Sequence, residues 1–270
     1  MRAGGAWEYR RGVARQPFSI VGTGRSGTTY LYSILSEHPR IALTNEAKLF
    51  DLLSESSAFA RIPAFELDAR TGVRGMLNAA YIADFSALLD ETIPGVLEAF
   101  YERHFAHKEF THWGDKMVSL VSPSALQRLL PDIRCLVPIR DPRDVVCSWR
   151  AAIAYQPFFG QYTLRSFAEM WVRTYAEIGA SLRRRFVVRY EDLVRSTERV
   201  VRDALGFLGL EWDAACARAI GRHATFASVA TSPTPEASLE RWRRELDAED
   251  LRTVQEICAA PMAEFDYPPA

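Results

Sequence analysis

The sequence predicts an α/β fold of three layers: a central, mainly parallel sheet, helices on both faces, and a P-loop-like phosphate-binding loop. Three observations carry that expectation. Short apolar runs alternate with segments of helical periodicity, the pattern of strands buried on both faces. One run, Pro17-Phe18-Ser19-Ile20-Val21, ends in Gly22-Thr23-Gly24-Arg25-Ser26-Gly27-Thr28-Thr29 and then a helical segment. The 270 residues, 48% hydrophobic and 11% aromatic, supply a sizeable core, which sets disorder aside.

Residues 1–15 are polar and unpatterned, a loose leader, so residues 16–270 are expected to form one domain. After the loop, Tyr30, Leu31, Ile34 and Leu35 recur at helical spacing, and the helix is expected to stop before Pro39 with His38 as its cap. Ile41-Ala42-Leu43 reads as a second strand ending in the polar turn Thr44-Asn45-Glu46. Residues 51–110 look helical and loop-like, an elaboration suited to binding a second ligand. Arg134 to Ile139 is a further apolar strand. Arg140-Asp141-Pro142-Arg143 then opens a helix to about residue 154, with Pro142 in the first turn, where its missing N–H costs nothing. Leu164, Phe167, Trp171, Tyr175, Ile178 and Leu182 mark an amphipathic helix. A strand at Phe186-Val187-Val188-Arg189, a helix from Glu198 to Leu208 and a last helix over 243–260 complete the order, the last with Leu246, Leu251, Val254 and Ile257 inward.

A net charge of −1 leaves no field to recruit nucleic acid or a membrane surface. Neither a signal-type apolar segment nor a span-length apolar run occurs, so no membrane span is expected. Cys135, Cys147, Cys216 and Cys258 form no C-x-x-C pair and no cluster with histidine. Cys135 and Cys147 read as small buried hydrophobes; no zinc site is expected, and the cytoplasm is the expected location. Lys48, Lys108 and Lys116 are the only lysines among many arginines, so a lysine beside chemistry stands out.

The loop from Gly22 to Thr29 has the context of a phosphate cradle. Glycines let successive N–H groups converge on an anion, and the helix start adds partial positive charge. It is not a Walker A loop: aligning Gly22 and Gly27 with that motif puts Thr28 where the lysine belongs, and the cation is instead Arg25. Nor does a strand end in a lone aspartate for magnesium, since Ile139 is followed by Arg140-Asp141.

At Arg25-Ser26-Gly27-Thr28-Thr29 the chain resembles sulfotransferases that use 3′-phosphoadenosine 5′-phosphosulfate (PAPS), with a site pattern similar to the tyrosylprotein and bacterial branches. Two further signatures follow in family order: Arg140 with Ser148 eight residues on, and Val187-Val188-Arg189-Tyr190-Glu191-Asp192-Leu193. The resemblance covers residues 17 to about 210. It implies that Gly24, Arg25, Ser26, Gly27, Thr28 and Thr29 hold the 5′-phosphosulfate, that Arg140 and Ser148 hold the 3′-phosphate, and that Tyr190 contacts the cofactor. The product nucleotide would be 3′-phosphoadenosine 5′-phosphate (PAP). A guanidinium and a hydroxyl suit a phosphate through charge-assisted hydrogen bonds. The alternative for Arg140 is a surface ion pair with Asp141 or Asp144, which suits Arg143 better than an arginine that ends a buried strand.

Sulfuryl transfer is an in-line displacement that needs positioning, charge stabilisation and, for an unactivated hydroxyl, a general base. The tyrosylprotein branch implies Glu46, twenty-one residues after Arg25, as that base. The histidine base of cytosolic members would fall on Val118, and His112 is the runner-up. Lys116 matches the family's catalytic lysine, with Arg25 as a second cation and no metal required; its alternative role is an ion pair with Asp115. Phe226 is a candidate adenine neighbour, and Ser232-Pro233-Thr234-Pro235 with Ser238, Arg241 and Trp242 a last 3′-phosphate loop. The expected partner is a small-molecule hydroxyl acceptor (a natural product, sugar or lipid). Residues 51–110 and the aromatics Tyr155, Phe158, Phe159 and Tyr162 would line its slot, and a homodimer stays open. Two other readings compete: a P-loop kinase or nucleoside-triphosphatase, and a nucleotide-binding module without turnover.

Overall fold

A computed structural model describes residues 15–49, 76–118, 123–220 and 230–270, with the backbone alone at 76–86 and 89. The leader's first fourteen residues, the segment 50–75 and Phe226 lie outside the described residues. Arg15 does not belong to a loose leader: its Nε donates to the Phe110 carbonyl at 3.3 Å and its guanidinium lies 4.7 Å over the Phe110 ring.

Five parallel strands form the sheet: β1 (Gln16–Gly22), β2 (Ile41–Asn45), β3 (His112–Val118), β4 (Arg134–Ile139) and β5 (Arg185–Arg189), in the order β2-β3-β1-β4-β5. The expected strands are all present. β3 was not anticipated, and it lies beside β1 with Ile20 opposite Lys116. Its approach is close: a Cβ on Gly114 would sit 1.8 Å from the Phe18 carbonyl oxygen, so only glycine fits there.

Helices cover both faces. On one lie α1 (Thr28–Leu35), α7 (Thr197–Leu208) and α8 (Ala214–Ile220), packed on Phe18, Ile20, Leu43, Leu136 and Val188. On the other, α2 (Met76–His104), α3 (Pro123–Leu129), α4 (Pro142–Ala152), α5 (Leu164–Ser181) and α10 (Ala248–Glu264) pack on Val21, Trp113, Met117, Val137 and Ile139. Residues of one strand thus feed two cores alternately, as the two-residue repeat of a strand requires. Short helices α6 (Tyr190–Arg195) and α9 (Trp242–Glu245) complete the set.

Two boundaries differ from expectation. The last helix is not continuous from 243: α9 ends at Glu245, and α10 starts afresh where Asp247 caps it by accepting from the N–H groups of Glu249 and Asp250. His38 does not cap α1; its Nδ1 accepts from the Arg40 N–H at 3.1 Å and its Nε2–H donates to the Glu211 carbonyl at 3.0 Å, tying α1 to the turn after α7. All four cysteines are buried and unbridged, and burial pushes the Cys135 thiol up to about 12. Among the described residues, no helix is long and apolar enough to cross a membrane.

Candidate active site

Because the strands are parallel, their C-terminal ends share one edge, and each carries a residue singled out from the sequence. Arg25 follows β1, Glu46 follows β2, Lys116 lies near the end of β3, Arg140 follows β4 and Tyr190 follows β5. The chain runs from β1 outward to β2 and then, after β3, to the opposite side of β1, so the direction of winding reverses around the phosphate loop.

The loop itself is held from beneath. Thr23 Oγ1 lies 2.6 Å from Ser26 Oγ and 3.2 Å from the Tyr175 hydroxyl, which in turn donates to the Pro138 carbonyl at 2.8 Å. The Ser26 side chain is therefore fully buried in an internal network rather than turned toward a ligand. Arg25 and Gly27 both adopt left-handed backbone, φ 71° and 87°, a conformation that turns N–H groups inward around an anion. Gly27 is doubly constrained, since a Cβ there would lie 2.3 Å from Tyr190 Cδ2. It is also the N-cap of α1, which has no side-chain cap and no acidic residue in its first turn. By contrast α4, α5 and α10 are capped by Asp141, Thr163 and Asp247. Thr28 and Thr29, at this uncapped helix start, line a cavity of about 680 Å³.

Arginines gather on the cavity's other wall. Arg140, 3% exposed, lies 4.6 Å over the Tyr190 ring, and donates to the Ser238 carbonyl and, at 3.3 Å, to the Arg25 carbonyl. Its Nε is buried with no hydrogen-bond partner among the described residues. The Tyr190 hydroxyl is 2.9 Å from Ser238 Oγ. Arg25 Nε donates to Ser148 Oγ at 3.0 Å, and Ser148 Oγ lies 2.9 Å from Thr231 Oγ1. Arg241 Nη1 donates to Thr231 Oγ1 and Ser232 Oγ, each at 3.1 Å. Residues 231–241 thus close over Arg140 and Ser148. Thr231 was not singled out in the sequence, because a lone threonine in a polar loop carries no spacing signal. Arg143, not Arg140, forms the tight ion pair with Asp141, at 2.7 Å, and stacks 4.0 Å over Trp242. Burial also pushes the Asp144 carboxyl up to about 6.

Lys116 and Glu46 meet at the β2–β3 side. The Lys116 side chain, 2% exposed, pairs with Glu46 Oε1 and donates to Thr29 Oγ1 at 3.3 Å; Glu46 is 43% exposed. The Glu46 N–H donates to the Lys116 carbonyl at 2.9 Å, so backbone and side chain fix the same pair. Glu46 and Lys48 are both left-handed, φ 53° and 56°, strain of the kind stored at functional turns. Asp115 is not the partner of Lys116. Strand alternation points it to the opposite face, where Oδ1 accepts from Thr44 Oγ1 at 2.8 Å and the Ala47 N–H at 3.2 Å. Desolvation by burial raises its pKa.

His112 is removed from this edge. It begins β3, four residues and about 13 Å from Lys116. Its ring nitrogens are occupied by Thr111 Oγ1 and the Leu208 carbonyl, both at 3.0 Å, and burial lowers its pKa. Of the aromatics proposed for an acceptor slot, Tyr155 lines the cavity and Phe158 is 57% exposed, whereas Phe159 and Tyr162 pack against the core. No group of three histidine, cysteine or acidic residues able to hold a metal ion occurs among the described residues.

A family model described as "Sulfotransferase family" matches residues 17–214. Protein-tyrosine sulfotransferase 2 of Gallus gallus is 26% identical over 215 residues, which are 76% of this chain and 54% of that protein; the chain spans about half the length of this relative. The sulfotransferase domain from the curacin biosynthetic pathway superposes with a TM-score of 0.60 at 16% identity, covering 95% of this chain and 100% of that domain. A mouse sulfotransferase complexed with PAP matches with a TM-score of 0.55 at 13% identity over 93% of this chain and 85% of its own. At such identities the shared feature is the fold.

Proposed function

The chain belongs to the sulfotransferase family, and on that premise we propose that it moves a sulfuryl group from PAPS to an acceptor hydroxyl. The observation that carries this reading is the buried Arg140 guanidinium in the cavity wall, with an unpartnered N–H, opposite an uncapped helix start. A dianionic group at each end of the cavity would answer both. PAPS has two such ends, and PAP is the ligand named for the mouse structure of the same fold. Arg140, Ser148 and Tyr190 would take the 3′-phosphate end, and the backbone from Gly24 to Thr29 the 5′ end. Arg25, now on Ser148, is long enough to serve either.

In the step itself, Glu46 takes the acceptor proton as the hydroxyl oxygen bonds to sulfur. The bond from sulfur to the phosphate oxygen breaks, and its electron pair leaves on PAP. Lys116, beside Glu46 and Thr29, offers positive charge where the transferring group would pass. Protein cations and backbone amides then do what a divalent ion does in a kinase. The acceptor class is a small-molecule hydroxyl of a natural product, sugar or lipid, entering past Tyr155 and Phe158. A protein tyrosine, named for the Gallus gallus relative, is the competing acceptor.

The test is single-turnover transfer from saturating PAPS to a panel of alcohols and phenols, with and without excess EDTA. Transfer that survives chelation is expected. Transfer lost on chelation and restored by magnesium, or turnover of ATP with magnesium instead of PAPS, would return the chain to the kinase reading.

A further inference from the structure

We propose that Asp144 is a positioning residue that builds the 3′-phosphate end of the site, holding the loop 238–242 and the Arg140 guanidinium in one arrangement. The inference rests on the nucleotide reading above. Asp144 is 1% exposed and lies one helical turn beyond Arg140, in the first turn of α4. Its Oδ2 accepts the Glu240 N–H at 2.8 Å and its Oδ1 accepts the Trp242 N–H at 3.0 Å. The same Oδ2 stands 3.9 Å from Arg140 Nη2. One carboxylate thus grips two backbone groups of a distant segment and flanks the phosphate-facing arginine.

The segment it grips links a 3₁₀ turn (Glu236–Ser238) to α9 (Trp242–Glu245). Glu240 is left-handed, φ 52°, a conformation disfavoured for a residue with a Cβ. Two N–H bonds to a buried acceptor offset that cost and set the directions of the residues on either side. Before Glu240, Ser238 takes the Arg140 guanidinium on its carbonyl and the Tyr190 hydroxyl on its Oγ. Between the two gripped amides, Arg241 reaches Thr231 and Ser232 on the cavity wall. Arg140 and Tyr190, two of the residues attributed to the 3′-phosphate, thus meet Ser238 on a loop held by one side chain that does not line the cavity.

Charge alone argues the reverse. An anion close to Arg140 opposes a phosphate, so removing it should strengthen nucleotide binding if proximity were its only effect. Asp144→Asn separates the two effects. It removes the charge and replaces one acceptor by an NH₂ facing an N–H, so the loop loses one hold while the volume is kept.

The measurement is calorimetric affinity for PAP and for adenosine 5′-phosphate, in wild type and D144N, with amide exchange of the wild type across 238–243. The expected result is a loss of about ten- to a hundredfold for PAP with adenosine 5′-phosphate unchanged within about twofold, and slowed exchange at Glu240 and Trp242 without nucleotide. Tighter PAP binding, equal losses for both nucleotides, or no loss for either would overturn the proposal. If D144N does not fold, the exchange decides: unprotected Glu240 and Trp242 amides overturn the hold, and protected ones support it. A wild type that binds the two nucleotides equally would overturn the nucleotide reading instead, and the exchange would still judge the hold.

Discussion

At the scale of single residues, the site is a set of side chains whose neighbours leave them few alternatives. Lys116 is nearly sealed from solvent, and among the described residues its ammonium hydrogen-bonds Glu46 and Thr29. Lys116→Ala should slow the chemical step by about a hundredfold or more, the scale for one electrostatic contact in a dry site, and leave PAP affinity nearly unchanged. Single-turnover kinetics with saturating PAPS separates the two. Glu46→Gln should lower turnover by about 10²–10⁴ on an aliphatic alcohol and much less on an acidic phenol that ionises unaided. An equal loss on both would make Glu46 a structural partner of Lys116. Gly27→Ala forces a Cβ into left-handed backbone and into the Tyr190 ring. It should cost at least about 1–2 kcal/mol of stability and displace the ring on which Arg140 lies, so both melting temperature and PAP affinity should fall.

At the scale of elements, legibility followed burial chemistry. β1 and β4 were plain in the sequence because Phe18-Ser19-Ile20-Val21 and Cys135-Leu136-Val137-Pro138-Ile139 are almost wholly apolar. β3 was hidden because His112-Trp113-Gly114-Asp115-Lys116-Met117 alternates neither in polarity nor in size, although all six residues are buried. Each of its charged or ring-nitrogen members has a specific partner that the sequence does not display: Leu208 for His112, Thr44 for Asp115 Oδ1, Glu46 for Lys116. The same strand explains why His112 stood as a candidate base, since only the register places it at the edge away from the loop. A stability test follows from its burial. The His112 pKa is lowered, so its neutral form stabilises the fold above the unfolded value of about 6.5, and that contribution is lost as pH falls through the folded value. The melting temperature of His112→Gln relative to wild type should therefore rise as pH drops below about 6.5. A pH-independent difference would mean that the ring does not titrate on unfolding.

At the scale of the whole molecule, five parallel strands bring residues spread from Arg25 to Tyr190 to one edge, and the segment 231–241 closes over them. That convergence was readable in part. Arg25, Glu46, Lys116, Arg140, Ser148 and Tyr190 were identified by motif and order, and the sheet brings all of them to the same edge. Asp144 was named beside Arg140, but its bonds to Glu240 and Trp242, and the contacts of Tyr175 beneath the loop and of Thr231, were not readable, because each joins distant segments. As proposed, the Arg140 end of the cavity takes a 3′-phosphate. Isothermal calorimetry of PAP against adenosine 5′-phosphate, with wild type and Arg140→Ala, tests it most directly. Wild type should bind PAP far more tightly, and Arg140→Ala should lose about 2–4 kcal/mol for PAP while its affinity for adenosine 5′-phosphate barely changes. Equal binding of the two nucleotides by wild type, or an equal loss for both in the variant, would contradict the account.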